Sequence, residues 1–368
     1  MKVLITGADG FIGKNLRVAL SEQKDFEVLP VTRATDELEL AQIIAKADAV
    51  VHLAGVNRPQ DPAEFAAGNA DFTARLCGLL RATARAIPVA FASSIQAERD
   101  NAYGLSKRAA EKHLTDYAEQ SGAGVGLYRL ANVFGKWSRP NYNSAVATFC
   151  HNTAHGLPIR VNDPAAQVRL VYVDDVVAEF LRFLSEPPQG AAMLEAGPVY
   201  TATVGEIVRQ IEAFGVVRQN LVTERVGEGF VRALYATYVS YLPTEAFSYG
   251  VPKYGDPRGV FVEMLKTKDS GQFSFFTAHP GITRGGHYHH SKTEKFLVIK
   301  GTARFRFRHI LTNERYELDT SGEQPVIVET IPGWAHDITN TGDAEMVVML
   351  WANEIFDRTR PDTISSPV

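Results

Sequence analysis

The sequence predicts an α/β fold in which a doubly wound parallel sheet is followed by an all-β jelly-roll domain. Over residues 1 to about 240, short apolar runs alternate with amphipathic stretches, whereas after about residue 250 short strand-like runs follow one another without a helical period. The stretch Tyr238–Gly259 between these regions is rich in Pro, Gly and Tyr. A chain of 368 residues fits two domains of roughly 150 residues each. We therefore predict domains at 1–245 and 246–368.

The N-terminal elements are predicted from their apolar patterns in chain order. The predicted strands are Lys2–Gly7, Phe26–Arg33, Ala49–Gly55, Pro88–Ser94 and Val125–Gly135. The predicted helices are Phe11–Gln23, Glu37–Ala47, Ala63–Ala86 and Ala102–Gln120. Apolar strands that alternate with helices are typical of a parallel sheet covered on both faces, with right-handed crossovers.

The C-terminal region contains short strand-like runs, many of them separated by turns with Gly or Asp. These runs are Gln272–Ala278, Glu294–Lys300, Ala303–His309, Arg315–Leu318, Val326–Thr330 and Met346–Trp351. Strands without helices between them favour an antiparallel barrel or jelly roll.

Composition excludes several classes of function. Lys and Arg number 38 and Asp and Glu 42, and no block of like charge occurs, so we expect no nucleic-acid partner and no membrane partner. No apolar run approaches the roughly 18–20 residues that span a bilayer. The N-terminus runs from a short strand straight into glycines, without the apolar core of a signal peptide. Cys77 and Cys150 have no metal-type spacing and cannot form a disulfide framework. We therefore expect a cytoplasmic protein.

A glycine-rich turn follows the first predicted strand and opens the first helix. Gly7 permits a tight turn, Gly10 lets the backbone approach a pyrophosphate, and Gly13 lets helix and strand pack closely. The helix N-terminus, at Phe11 and Ile12, then offers N–H donors to the phosphates. A plain Gly-rich turn is the alternative, but the strand–turn–helix context favours a Rossmann-type dinucleotide site.

The end of the second strand indicates which dinucleotide binds. A carboxylate there accepts hydrogen bonds from the ribose 2′-hydroxyl of NAD, whereas an arginine pairs with the 2′-phosphate of NADP. Here Arg33 follows the strand and the first acid is Asp36. We therefore predict NADPH, with a surface role of Arg33 as the alternative.

Tyr103-Gly-Leu-Ser-Lys107 carries the chemistry of hydride transfer. Residues four apart share one face of a helix, so the phenol and the ammonium converge. A nearby ammonium stabilises phenolate and lowers the pKa of the phenol, which makes Tyr103 an acid–base group, while Lys107 also holds the nicotinamide ribose. Ser94, at the end of a strand, supplies a hydroxyl to the substrate carbonyl, and its neighbour Ser93 is a second candidate for substrate binding.

At these residues the chain, up to about residue 245, resembles an extended short-chain dehydrogenase/reductase, a class that acts on nucleotide-linked sugars. The matching segments are His52-Leu-Ala-Gly55, Asn69, Arg129-Leu-Ala-Asn132-Val-Phe-Gly135 and Tyr172-Val-Asp174-Asp175-Val. The resemblance implies that Leu53, Ala54 and Gly55 lie near the adenine ring and that Asn132 contacts the nucleotide diphosphate. The gap from Ser94 to Tyr103 is shorter than usual in extended members, so the loop that frames the substrate is trimmed.

Histidines cluster in the C-terminal region. On a strand His287 and His289 point the same way, and Glu294 and His336 would complete a set of three nitrogens and one carboxylate. Such a set suits zinc or another first-row divalent ion, and we predict zinc. The two segments resemble those of the cupin fold, although the second lacks its usual leading glycine. His290 is an alternative ligand, and a purely structural metal is an alternative role.

Together the two halves resemble bifunctional capsular-polysaccharide enzymes of the CapF type. The resemblance implies that the cupin epimerises C3 of a UDP-2-acetamido-2,6-dideoxy-4-hexulose. The reductase then reduces the C4 ketone with NADPH, giving UDP-2-acetamido-2,6-dideoxy-L-talose on the route to N-acetyl-L-fucosamine. Arg139 and Asn143 are candidates for binding the sugar nucleotide, with loop-stabilising roles as the alternative.

Three other functions stay open from the sequence. One is a monofunctional 4-ketosugar reductase whose cupin only stabilises a dimer. Another is a sugar epimerase with tightly bound NAD, and the third is a regulator that senses NADPH without turnover. Fused cupins often pair through their barrels, so we expect a homodimer.

Overall fold

The computed structural model describes residues 1–251, 253–256, 259–262, 265–267, 271–354 and 359–368. Pro252, Pro257 and Arg258 of the predicted linker lie outside these residues. The chain forms two compact units. The first unit is Met1–Ser144 with Val168–Thr201, and the second is Ala145–Gln167 with Ala202–Val368. The division into sequence domains at residue 245 stays a prediction.

The first unit is built on a six-stranded parallel sheet. Its strands are β1 (Lys2–Thr6), β2 (Glu27–Val31), β3 (Ala49–His52), β4 (Val89–Ser94), β5 (Val125–Leu130) and β8 (Ala191–Leu194). They lie in the order β2-β1-β3-β4-β5-β8, and every neighbouring pair is parallel. Strand order that runs outward in both directions from β1 and β3 is that of a doubly wound sheet.

Helices cover both faces of this sheet. They are α1 (Phe11–Ser21), α2 (Glu37–Lys46), α3 (Ala63–Phe65), α4 (Phe72–Ala82), α5 (Ala102–Ser121) and α7 (Val173–Ser185). Val3 and Ile5 of β1 pack in one apolar cluster with α1 and α7, while Leu4 packs in a second cluster with α2, α4 and α5. Alternate residues of a strand point to opposite faces, so the three central residues of this strand, Val3, Leu4 and Ile5, are all apolar.

In its described residues, the second unit combines three α-helices with an all-β region. The helices are α6 (Ala145–Ala154), α8 (Val204–Asn220) and α9 (Gly229–Val239). The described residues also form three small sheets. These are β6 (Asn132–Phe134) with β7 (Gln167–Tyr172) and β9 (Val199–Thr203), β10 (Val222–Thr223) with β14 (Lys266–Thr267), and β12 (Lys253–Asp256) with β13 (Gly259–Val262). A capping box between Thr203 and Glu206 fixes the start of α8.

The all-β region consists of two five-stranded antiparallel sheets. The first holds β11 (Ser248–Gly250), β20 (Val326–Glu329), β17 (Glu294–Lys300), β22 (Met346–Ala352) and β15 (Gln272–Ala278), in that order. The second holds β19 (Arg315–Ser321), β18 (Thr302–His309), β21 (Trp334–Asn340), β16 (Thr283–Tyr288) and β23 (Ile364–Ser365), in that order. Phe296 and Phe305 pack edge to face between the sheets, with ring centroids 5.7 Å apart. The predicted fold class is confirmed.

Two predicted elements differ in detail. Val125–Gly135 is divided, because β5 ends at Leu130 and β6 leaves the large sheet to pair with β7. The predicted helix Ala63–Ala86 contains a π-helical turn, Ala66–Asp71, between α3 and α4. Among the described residues, no helix combines the length and the apolar character needed to cross a bilayer.

Candidate active site and metal centre

The glycine-rich turn between β1 and α1 has no room for side chains. Gly7 has φ +68, and a Cβ there would lie 2.9 Å from the backbone nitrogen of Ala54. A Cβ on Gly13 would lie 2.8 Å from the carbonyl oxygen of Ala8 and closer still to that of Gly7. Gly10 is the N-cap of α1 and offers no side chain to the N–H groups of the first turn. Backbone donors at Phe11 and Ile12 are therefore left for an anionic ligand, which fits a dinucleotide phosphate.

Two charged residues, Arg33 and Asp36, follow β2 and differ in their hydrogen bonding. Arg33 is exposed just beyond β2. Asp36 is the N-cap of α2, where its carboxylate accepts a hydrogen bond from the Glu39 backbone at 2.8 Å. The first acid after the strand therefore caps a helix, whereas the Arg33 side chain is exposed.

The segment after β3 is fixed by a buried threonine and histidine. Thr6 Oγ1 accepts hydrogen bonds from the backbones of Leu53 and Ala54, both at 3.1 Å, and lies 2.6 Å from Nδ1 of His52. Thr73 Oγ1 lies 2.9 Å from His52 Nε2 and donates its own hydrogen to the Asn69 carbonyl. His52 Nε2 must therefore donate and its Nδ1 must accept. Burial, with a contribution from Lys107, lowers the pKa of His52 to about 3.

Gly55 and Asn69 extend this arrangement toward Lys107. A Cβ on Gly55 would lie 2.9 Å from Asn69 Oδ1 and 3.3 Å from Lys107 Nζ. The Asn69 carboxamide accepts from the Val56 backbone at 2.8 Å and donates to Ser106 Oγ at 2.9 Å. Leu53, Ala54 and Gly55 thus form a rigid strip of backbone beside the ammonium.

Tyr103 and Lys107 lie on the face of α5 that packs on the end of β4. Lys107 is 5% exposed, and its ammonium donates to the Ala92 carbonyl at 2.9 Å. The half-buried Tyr103 forms a hydrogen bond with Ser94 and packs on the ring of Phe65. The helix therefore brings phenol, ammonium and Ser94 to the end of one strand, where ligands bind in open α/β sheets.

The pKa of Tyr103 shifts in the direction opposite to the sequence prediction. Burial raises the pKa of Tyr103, and the hydrogen bond with Ser94 only partly offsets this. The direction is therefore opposite to the lowered pKa that the sequence predicts for Tyr103. Burial lowers the pKa of Lys107 to about 8, with Glu111 acting in the opposite direction.

Glu111 is a buried residue of this site that sequence analysis missed. Its carboxylate accepts hydrogen bonds from Ser93 Oγ at 2.5 Å and from Arg129 Nε and Nη2 at 3.0 and 2.7 Å. The available signal was its position eight residues after Tyr103, on the same face of the helix. The Ser93 hydroxyl is thus engaged within the fold, whereas Ser94 faces the phenol.

The other predicted substrate-binding residues are exposed. Asn132 donates to the Arg169 carbonyl at 2.9 Å. The Arg139 guanidinium lies 5.5 Å from the centroid of the Tyr142 ring, and Asn143 follows in the same loop. The structure places these three side chains at the surface of the first unit.

The four predicted metal ligands come together in the all-β region. His287, His289, Glu294 and His336 each offer one ligand atom, and these atoms lie within 4.8 Å of one another. His287 is paired directly with His336 across β16 and β21, next to a bulge at Gly285–His287. Gly286, with φ +76, lies in this bulge, and a bulge re-aims the side chains that follow it. Glu294 begins β17, so the centre draws ligands from both sheets.

The hydrogen positions in this cluster favour a cation. His289 Nδ1 lies 2.5 Å from the Asp362 carbonyl, and because a carbonyl only accepts, this nitrogen carries the hydrogen. That leaves Nε2 as the ligand atom of this ring, 3.2 Å from Glu294 Oε2. His336 Nε2 is buried without a hydrogen-bond partner among the described residues and lies 3.5 Å from the same oxygen. A divalent cation satisfies lone pairs that face one another in this way, and the donor set suits zinc.

The pKa shifts of His287, Glu294 and His336 also favour metal binding. Burial, together with His336 and His289, lowers the pKa of His287 to about 3, and burial also lowers the pKa of His336. Burial opposes ionisation of Glu294, but His289, His336 and Lys292 outweigh it and hold its pKa well below the usual range. Neutral imidazoles and an ionised carboxylate are the forms that bind a divalent metal.

Comparisons with known proteins cover the whole chain. Residues 3–197 match the NAD dependent epimerase/dehydratase family, and residues 254–364 match the polysaccharide biosynthesis C-terminal domain. The chain is 58% identical over 368 residues to the UDP-2-acetamido-2,6-beta-L-arabino-hexul-4-ose reductase of Pseudomonas aeruginosa, covering 100% of this chain and 99% of the relative. These matches confirm the resemblance drawn from the sequence.

Solved structures support the same relationship. The capsular polysaccharide assembling protein CapF of Staphylococcus aureus is 42% identical, with a TM-score of 0.69 and 100% coverage of both chains. The UDP-glucose 4-epimerase of Thermotoga maritima is 22% identical, with a TM-score of 0.53 over 58% of this chain and 82% of that one, and this likeness shows the fold alone. The chain belongs to the NAD-dependent epimerase/dehydratase family, in a form that carries the polysaccharide biosynthesis C-terminal domain on the same chain.

Proposed function

We propose that this protein is a bifunctional nucleotide-sugar enzyme of capsule or O-antigen synthesis. Its substrate is a UDP-2-acetamido-2,6-dideoxy-4-hexulose, which is epimerised at C3 and then reduced at C4 with NADPH to UDP-2-acetamido-2,6-dideoxy-L-talose. The observation that carries the proposal is the presence of two chemically complete sites in one chain. One is Tyr103 with Ser94 and Lys107 at the end of β4, and the other is the cluster of three histidines and Glu294. Full-length similarity to a 4-ketosugar reductase supports it.

In the reductase half, the chain's own groups bind the dinucleotide and move one proton. The turn Gly7–Gly13, with the backbone of Phe11 and Ile12, holds the pyrophosphate, and Arg33 pairs with the 2′-phosphate. Leu53, Ala54 and Gly55 lie along the nucleotide, and Lys107 holds the nicotinamide ribose. Bound NADPH supplies the hydride that reduces C4.

Tyr103 gives its proton to the C4 oxygen as the ketone becomes an alcohol, and Ser94 donates a hydrogen bond to the same oxygen. We assign this role to Ser94 because the Ser93 hydroxyl is bound to Glu111. Asn132 contacts the nucleotide diphosphate, and Arg139 and Asn143 contact the sugar nucleotide from their exposed loop.

In the all-β half, the C4 ketone makes the neighbouring C3 proton acidic enough to be exchanged. His287, His289, Glu294 and His336 hold a divalent cation, with zinc the first choice. Such a cation, when bound, would stabilise negative charge on the ketone oxygen while a base removes the C3 proton and a proton is returned to the opposite face of C3. A homodimer and a cytoplasmic location stay predictions.

The experiment that tests the proposal is incubation of the protein with UDP-4-keto-6-deoxy-N-acetylhexosamine and NADPH or NADH, followed by NMR of the product. We expect stoichiometric oxidation of NADPH and a product inverted at C3. Reduction without inversion would indicate a monofunctional reductase. An epimerase with tightly bound NAD would not consume added NADPH in stoichiometric amounts, and binding of NADPH without turnover would indicate a sensor.

A further inference from the structure

The loop that joins His289 to Glu294 is held by a residue far away in the sequence. Asp362 accepts hydrogen bonds from the backbone N–H groups of His290, Ser291 and Lys292 at 2.8, 2.7 and 2.7 Å. It also accepts from the Ser291 hydroxyl at 3.1 Å. Three consecutive backbone donors on one carboxylate fix the conformation of this loop, which we call the metal loop (residues 290–293).

The same residue fixes a predicted metal ligand. The Asp362 carbonyl accepts from His289 Nδ1, so Nε2, which lies 3.2 Å from Glu294 Oε2, is the nitrogen available to a metal. A metal-binding histidine needs its second nitrogen to be held in this way, because that hydrogen bond sets both the tautomer and the orientation of the ring. Asp362 therefore acts on the ligand through its backbone and on the loop through its side chain.

Neighbouring segments hold Asp362 itself. Strand β23 follows it and pairs with β16, with Ser365 opposite His287. Thr363 accepts a hydrogen bond from the Lys292 ammonium at 3.0 Å, and that ammonium also lies 3.3 Å from Glu294 Oε1. Arg232 of α9 donates to Ser291 Oγ at 2.7 Å, and its guanidinium lies 4.0 Å from the Asp362 carboxylate. The contacts thus converge on the loop between two ligands.

Asn353 completes the support of the metal loop. Its side-chain oxygen accepts from the Thr293 backbone at 3.0 Å, and its backbone donates to the Thr293 carbonyl at 3.1 Å. Each backbone N–H from His290 to Thr293 is therefore bound by a group remote in sequence.

We propose that Asp362 is a positioning residue of the metal centre, whose carboxylate sets the metal loop and whose carbonyl sets the tautomer of His289. The inference rests on the proposed metal site. It assigns the C-terminal segment, 70 residues and more from the loop, a part in metal affinity.

The test is the zinc affinity of Asp362→Asn, measured by competition with a chromophoric chelator. The amide nitrogen of Asn cannot accept a hydrogen bond, so the loop loses part of its support. We expect zinc to bind about 10–100-fold more weakly and the visible absorption spectrum of the cobalt(II)-substituted protein to change. Asp319→Asn is the matched control, because Asp319 is an exposed carboxylate paired with Arg304 and should leave both readings unchanged.

Each outcome decides between the two proposals. Absence of zinc and cobalt binding in the wild-type protein would overturn the metal site, and this inference with it. Wild-type binding together with an unchanged affinity and cobalt spectrum in Asp362→Asn would overturn only the role of Asp362. If Asp362→Asn does not fold, Ser291→Ala removes the hydroxyl that lies between Asp362 and Arg232. We then expect zinc binding to weaken several-fold, and unchanged affinity would overturn the inference.

Discussion

Single residues of the candidate active site are held by buried partners rather than by solvent. Glu111 binds both Ser93 and Arg129, and in doing so ties α5 to β4 and β5. Lys107 reaches the Ala92 carbonyl of the same strand. Because these contacts fix α5 on the end of β4, the phenol of Tyr103 lies within hydrogen-bonding distance of the half-buried Ser94. The position of the phenol therefore depends on side chains that do not touch the substrate.

Replacing Tyr103 by Phe should remove the proton donor without disturbing the nucleotide site. We expect the Tyr103→Phe variant to lose about 10²–10⁴-fold in kcat for ketosugar reduction, with an unchanged Kd for NADPH. Tyr117→Phe is the matched control on the same helix, since that buried hydroxyl pairs with the Ile87 backbone, away from Ser94 and Lys107. The control should keep its kcat, and full activity of Tyr103→Phe would contradict the assignment.

The buried His52 should make the fold sensitive to acid. Its pKa is about 3 in the folded chain and about 6.5 in the unfolded chain. Below pH 6.5 this histidine binds a proton in the unfolded chain but not in the folded chain. The free energy of unfolding therefore falls as the pH falls, by about 2 kcal/mol at pH 5.

The corresponding measurement is the Tm between pH 7 and pH 5 for the wild type, for His52→Gln and for the exposed control His279→Gln. We expect a shallower fall of Tm in His52→Gln and a wild-type fall in the control. Equal slopes in all three proteins would show that His52 titrates normally.

At the scale of elements, the join between β1 and α1 depends on the absence of a side chain. A Cβ at Gly13 meets backbone oxygen, which cannot move aside, whereas a Cβ at Gly78 in α4 meets nothing within 4 Å. We expect Gly13→Ala to lose about 1–3 kcal/mol of stability and to bind NADPH at least tenfold more weakly.

Gly78→Ala is the matched control for this change. It should gain about 0.5–1 kcal/mol, because alanine favours a helix interior. Thermal unfolding and NADPH titration measure both effects. Wild-type NADPH affinity in Gly13→Ala would contradict the assignment of the turn.

Local sequence patterns predicted the elements whose contacts are local. The glycine turn, the face of α5 with Tyr103 and Lys107, and the pair His287 and His289 follow from spacing along a strand or helix, whereas Glu294 and His336 lie on other strands. The division of Val125–Gly135 could not be predicted in this way, because the pairing of β6 with β7 depends on a strand more than 30 residues away. The support of the metal loop by Asp362 depends on a residue still farther away in the sequence. Strand β16 was not among the predicted strands because it contains Gly285 and Gly286, and glycine disfavours strands.

At the scale of the whole molecule, the two candidate sites lie in separate compact units. The glycine turn and Tyr103 belong to the first unit, and the four predicted metal ligands belong to the second. A defect in one site should therefore leave the chemistry of the other intact.

Removal of the metal should separate the two reactions. After dialysis against a chelator, we expect no exchange of the C3 proton with heavy water, while a substrate already inverted at C3 is still reduced by NADPH. Glu294→Gln should behave in the same way without chelation, because it removes the one carboxylate of the cluster. Persistent C3 exchange in metal-free protein, followed by NMR, would show that the cluster is structural.

Because of the π-helical turn Ala66–Asp71, the exact number of residues in this helix matters for its contacts. It holds one residue more than an α-helical path would use, and this surplus lets Asn69 reach Val56 while Thr73 reaches His52. Deleting a single residue between them would rewind the segment as regular helix and turn one of the two side chains by about 100° around the axis. Homologues that lack this extra residue would need another means of anchoring the loop at Val56.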